Sequence, residues 1–77
     1  MVDIENLMQN LSDLFGVPKN TVTNNMTMKS SECWDSLKHM ALISMIEDNY
    51  NVSLSMDDIV RMVSIQEIIN VLTEKTH

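Results

Sequence analysis

Ser36 and His39 stand three residues apart in "DSLKH" (35–39), with Asp35 immediately before the serine. In a helix, positions three apart are neighbours, and a serine, a histidine and an acid are the groups from which a hydrolytic nucleophile is assembled. That chemistry also needs an oxyanion site and a body able to enclose a substrate. The chain has a single glycine, Gly16, and so no glycine-rich elbow. His39 falls on the apolar stripe of its helix, turned away from Ser36, which favours a histidine that packs. Asp35 suits another role, the helix N-cap, worth ~1 kcal/mol. Capping alone leaves Leu37 and Met40 unexplained, two large apolar side chains on the solvent side of the same turn. A third chemistry accounts for them all. Free N–H groups and the dipole at a helix N-terminus favour phosphate. A serine there is placed to carry a phosphodiester-linked group, with apolar residues beside it for a partner to grip.

Other candidate groups carry less. Cys33 follows an acid, Glu32, a neighbour that does not favour a thiolate; a loop thiol without redox work is the simpler reading. Trp34 is compatible with covering the helix start, docking a partner or packing on the loop. Asp57 and Asp58 are better explained as helix-capping acids than as ligands of a divalent ion. The two histidines and one cysteine lack metal-site spacing.

The elements that must position Ser36 are legible in the apolar pattern. Ile4, Leu7, Met8, Leu11, Leu14 and Phe15 keep helical spacing, and Gly16 with Pro18 stops the helix, predicting a first helix over 3–15. Residues 16–35 are polar and without period. A connection of that length is functional or mobile in compact domains, with Val17, Val22, Met26 and Met28 available to pin it. The second helix is predicted from Ser36 to about Tyr50. His39, Leu42, Ile43, Ile46 and Tyr50 form its core face, and Leu37, Met40, Ala41, Ser44, Glu47 and Asp48 the opposite side. "SMDD" at Ser55 and "SIQE" at Ser64 have the capping-box form and open two short helices. Ile59, Val60 and Val63 give the third an apolar face; Ile65, Ile68, Ile69 and Leu72 give the fourth a stripe. The expected fold is all-α: a four-helix bundle with a long first loop and a short third helix, one domain over 1–77.

Composition narrows the partners. Eleven acids against five bases leave a charge of −6, which argues against nucleic acid and anionic membrane and favours partners with basic patches. At 77 residues the chain buries only ~60% of its unfolded surface, leaving little room for a deep catalytic cleft. Eight methionines suit a core that can re-pack. One cysteine excludes an internal disulfide and fits a reducing compartment. With no signal segment and no run of about 18 apolar residues, the expectation is a cytoplasmic monomer without membrane insertion.

"DSL" at 35–37, opening the second helix of an acidic bundle after a long loop, resembles the acyl carrier proteins. The resemblance covers nearly the whole chain: "VTNN" (22–25) is similar to the family's first-loop sequence and "IEDNYNVSL" (46–54) to its exit from helix two. The resemblance implies that Ser36 is esterified with 4′-phosphopantetheine from coenzyme A, whose thiol holds an acyl or aminoacyl group as a thioester. It implies that Asp35 is the acid that helps a phosphopantetheinyl transferase hold its metal ion. Leu37, Lys38, Met40, Ala41, Glu47 and Asp48 fall at or beside positions that meet partner enzymes: the transferase, and loading and transferring enzymes with basic or apolar docking patches. The protein is then a carrier and not an enzyme. Three departures stand out. Cys33 and Trp34 replace a glycine and a small residue, Lys38 and Ala41 stand where acids are frequent, and Ser44 replaces a large apolar contact. They point to a dedicated carrier at least as much as to general fatty acid synthesis. An aminoacyl or peptidyl carrier, or an unmodified helical adaptor in which Ser36 only belongs to a cap, are the alternatives.

Overall fold

The computed structural model describes residues 3–76. Four α-helices are found among them: α1 Ile4–Phe15, α2 Ser36–Tyr50, α3 Met56–Arg61 and α4 Ile65–Thr76. This is the expected four-helix bundle with a long first loop and a short third helix. Asp3 caps α1 by accepting from the Asn6 N–H at 3.2 Å. Gly16 ends it in the left-handed conformation, φ 69°, where its N–H reaches the Ser12 carbonyl at 2.9 Å. A residue with a Cβ is strained there, so the lone glycine is spent where the backbone needs it. Asn51 ends α2 in the same region at φ 53°, where asparagine is better tolerated than other residues with a Cβ.

The core is one cluster. Leu7, Leu11 and Phe15 of α1 meet Leu42, Ile43 and Ile46 of α2 and Ile65, Ile68, Val71 and Leu72 of α4. The long connection is tied down as well. Val22 and Met26 are buried, and a 3-10 turn occupies Lys19–Thr21. Two backbone bonds fasten the connection to the start of α4, Met28 N–H to the Val63 carbonyl at 2.8 Å and Ile65 N–H to the Met26 carbonyl at 3.0 Å. Tyr50 closes α2 on the cluster half-buried; burial, then the charge of Asp3, pushes its phenol up.

The third helix departs from expectation. Val60 is 67% exposed and Val63 is also exposed, while Met62, just past the helix, is fully buried. Six residues make under two turns, too few for a period to decide which side faces inward. Ser55 makes the full reciprocal capping box with Asp58. Ser64 makes half of one: its hydroxyl accepts the Glu67 N–H at 3.1 Å, but the Glu67 carboxylate turns to Arg61 and Asn70.

Those ion pairs join α3 to α4. Arg61 holds Glu67 at 2.7 Å and Glu74 at 2.8 Å, and Lys75 holds Asp58 at 2.9 Å. The hydrogen bond from Lys75, then the Ser55 backbone N–H, lowers Asp58. Arg61 lowers Glu67 and Glu74. A carboxylate held below its unfolded value stabilises the fold at pH above that value and loses the contribution as pH falls through the folded one. The advantage of wild type over Arg61→Gln should therefore be full at neutral pH and shrink below about pH 4. Urea midpoints of both proteins from neutral to about pH 3 check this. A gap that does not change on acidification counts against it.

Candidate functional site

The site lies where the long connection turns into α2. Asp35 is extended, φ −103° and ψ −173°, and its Oδ1 accepts the Lys38 N–H at 2.9 Å. Its carbonyl takes the His39 N–H at 2.8 Å. Asp35 is thus the N-cap, and Ser36 is the first helical residue, exposed to solvent. Leu37 is 82% and Met40 56% exposed, so two apolar groups stand out beside the serine, as expected. Ala41 and Asp48 continue this face in solvent.

Lys38 and Glu47 are placed differently. Lys38 is half-buried, and its ammonium donates to the Leu14 carbonyl at 3.0 Å, an orphan acceptor at the end of α1. Glu47 is half-buried and accepts the Leu54 N–H at 2.9 Å, which pins the turn between α2 and α3. The first join spans 24 residues and the second seven, and each pairs a side chain with a backbone group that no sequence motif marks. On α3, Met56, 74% exposed, and Val60 are also apolar side chains in solvent. Met56 follows a capping serine, a clue that the sequence reading did not use.

Trp34 is one of the largest buried side chains, 2% exposed. Its ring lies 5.2 Å from Phe15, tilted by 37°. The indole N–H donates to His39 Nδ1 at 3.1 Å, and His39 Nε2 lies 2.9 Å from the Ile59 carbonyl. A carbonyl oxygen only accepts, so Nε2 carries the hydrogen and Nδ1 is the bare acceptor: a neutral imidazole with a fixed tautomer. Both ring nitrogens are committed and His39 is buried. It is not a base for Ser36, and the hydrolytic arrangement is not formed. Cys33 is half-buried against the core. Asp58 is taken up by its cap and Lys75. Among the described residues no group of His, Cys, Asp and Glu is placed to hold a metal ion. No described helix is long and apolar enough to cross a membrane.

The surroundings of Ser36 suit a phosphodiester. The hydroxyl is on an exposed residue of the first turn of a fifteen-residue helix, where backbone N–H groups lack intrahelical acceptors and the dipole is positive. Asp35 satisfies the Lys38 N–H, the earlier N–H groups of the turn have no intrahelical acceptor, and Leu37 is an exposed apolar neighbour. Comparison with curated proteins gives no match. A family model described as the phosphopantetheine attachment site matches residues 5–72, from the first turn of α1 into α4. The chain belongs to that family of carrier proteins, whose cofactor is a covalently attached 4′-phosphopantetheine.

Proposed function

We propose that this chain, as a single carrier domain, carries acyl intermediates as thioesters on a phosphopantetheine arm attached to Ser36. The observation that carries this reading is the exposed serine at the first step of α2, flanked by the projecting side chains of Leu37 and Met40. When bound, the arm supplies the thiol that holds the acyl group. The protein's residues supply the rest. Asp35 sets the helix start and presents a carboxylate beside the hydroxyl, where a transferase brings its metal ion. Leu37, Met40 and Ala41 give partners an apolar foothold on α2, and Asp48 sits further along as an exposed charge. Lys38 and Glu47 hold the edges of that face in place as well as bordering it. Asp48 and Asp57 take part in no ion pair among the described residues, so negative charge is open to basic docking patches. The chain works as a monomeric carrier in the cytoplasm, and the chemistry on its cargo belongs to the partner enzymes.

Intact mass after incubation with coenzyme A and a broad-specificity phosphopantetheinyl transferase separates a carrier from an unmodified adaptor. One arm per chain is expected. A wild-type chain that gains no mass beside a modified control carrier is the adaptor outcome.

A further inference from the structure

Trp34 and His39 flank the serine turn, one residue before Asp35 and one turn after it. Their side chains are joined to each other at 3.1 Å and lie with ring centroids 6.0 Å apart. The backbone from Asp35 to Lys38 is therefore closed into a small ring by a buried hydrogen bond. His39 also reaches out of α2. The Ile59 carbonyl belongs to the last turn of α3, where carbonyls run out of intrahelical donors. Nearby, the Met62 N–H goes to Asp58 and the Val63 N–H to Arg61. His39 Nε2–H takes the Ile59 carbonyl at 2.9 Å. Two hydrogen bonds thus connect the segment before Ser36, the body of α2 and the end of α3. No charged group is a partner in this chain, so each broken link leaves a buried neutral group unpaired rather than rearranging an ion pair.

We propose that Trp34 and His39 are positioning residues for modification of Ser36, and that through Ile59 they tie the approach to the serine to the position of α3. The proposal rests on Ser36 being the attachment point. It assigns the pair a use beyond filling the core. A transferase must find the hydroxyl at a fixed height and direction above α2, and displacement of a reacting atom by a fraction of an ångström costs rate more than affinity. The segment before Asp35 is also held by the Trp34 N–H on the Ser31 carbonyl at 3.2 Å and by the indole on Phe15; the Trp34–His39 bond is the link that ties it directly to the body of α2. A partner that leans on the exposed Met56 and Val60 of α3 then also acts, through Ile59 and His39, on the turn that bears the arm.

Conservative variants separate the links. Trp34→Phe keeps an aromatic ring against Phe15 and removes the N–H. His39→Asn retains an acceptor near the place of Nδ1 and loses the reach to Ile59. His39→Gln places an amide nitrogen near Nε2 and gives up the Nδ1 position. Steady-state kinetics of arm transfer from coenzyme A by a broad-specificity transferase are measured at a temperature where circular dichroism shows every variant folded. Trp34→Phe and His39→Gln should lower kcat about tenfold, the scale of one lost buried hydrogen bond, with KM for the carrier within about twofold. His39→Asn should recover most of kcat. Amide exchange over α3 should quicken in His39→Asn and stay near wild type in Trp34→Phe. The positioning role is overturned if Trp34→Phe and His39→Gln keep wild-type kcat and lose only melting temperature, or if His39→Asn is as slow as His39→Gln. The tie to α3 is overturned if α3 exchange is the same in all variants. A wild-type chain that takes the arm at a residue other than Ser36 overturns the attachment reading, and with it the positioning role.

Discussion

Trp34→Ala should leave the chain largely unfolded at room temperature. Trp34 is 2% exposed and packs on Phe15 at 5.2 Å. Truncating a buried aromatic to alanine costs ~3–5 kcal/mol through lost transfer energy and the cavity left behind. His39 Nδ1 loses its donor as well, and an unpaired buried acceptor adds ~1–3 kcal/mol. The whole domain, at 77 residues, has only about 4–12 kcal/mol to lose. Together the two costs come to about 4–8 kcal/mol, the lower half of that range, so the variant retains little or no net stability. Trp34→Phe refills the ring's space in part and should remain folded, with a lower urea midpoint. Urea titrations followed by far-ultraviolet circular dichroism decide the matter. A cooperative Trp34→Ala transition within about 2 kcal/mol of wild type would mean that the indole is not structural.

That result bears on how the chain is read from its letters. The helix limits were legible because their signals are local: Gly16 and Pro18 after Phe15, Asp35 before Ser36, and Ser55 with Asp58 three residues on. The stripe of Leu42, Ile43 and Ile46 was legible because fifteen residues give the helical period room to show. The place of Trp34 was not, since it sits in a connection without period and its partners, Phe15 and His39, come from two helices. His39 could be put on the core face, but its acceptor is a backbone carbonyl twenty residues away, and a carbonyl has no letter. The same holds for Lys38 on the Leu14 carbonyl, and a backbone N–H such as that of Leu54, which Glu47 accepts, has no letter either. Val60 shares the apolar pattern of α3 with Ile59 yet lies in solvent, because α3 is too short for its pattern to choose a side. At the candidate site, Asp35, Ser36, Leu37 and Met40 stand where the spacing put them. The buried pair that steadies them depends on the tertiary fold.

Leu37→Ala and Met40→Ala should each speed dissociation of a bound transferase about tenfold with little change in association. Both side chains project into solvent at the serine. Covering one of them recovers ~1.5–3 kcal/mol of hydrophobic free energy, and apolar anchors near an interface centre act mostly on the bound lifetime. Asp48→Lys should do the reverse, slowing association a few-fold and flattening its dependence on salt, because an exposed charge acts on encounter. Glu47 is a poorer probe, since its carboxylate holds the Leu54 N–H and reversal there also loosens the turn. Association and dissociation rates of the three single variants at two ionic strengths decide it. If Leu37→Ala and Met40→Ala dissociate at the wild-type rate, the apolar face is not where the transferase grips.

Peptide-level mass spectrometry of the modified chain shows which residue bears the arm. Ser30 and Ser31 lie upstream in the connection and Ser44 two turns along α2, all exposed or half-buried and open to the same chemistry. Fragmentation should place phosphopantetheine on Ser36 alone. Ser36→Ala should take up none while keeping its helical content, because Asp35 remains to cap α2. An arm on Ser30, Ser31 or Ser44, or one that persists in Ser36→Ala, rules out attachment at Ser36.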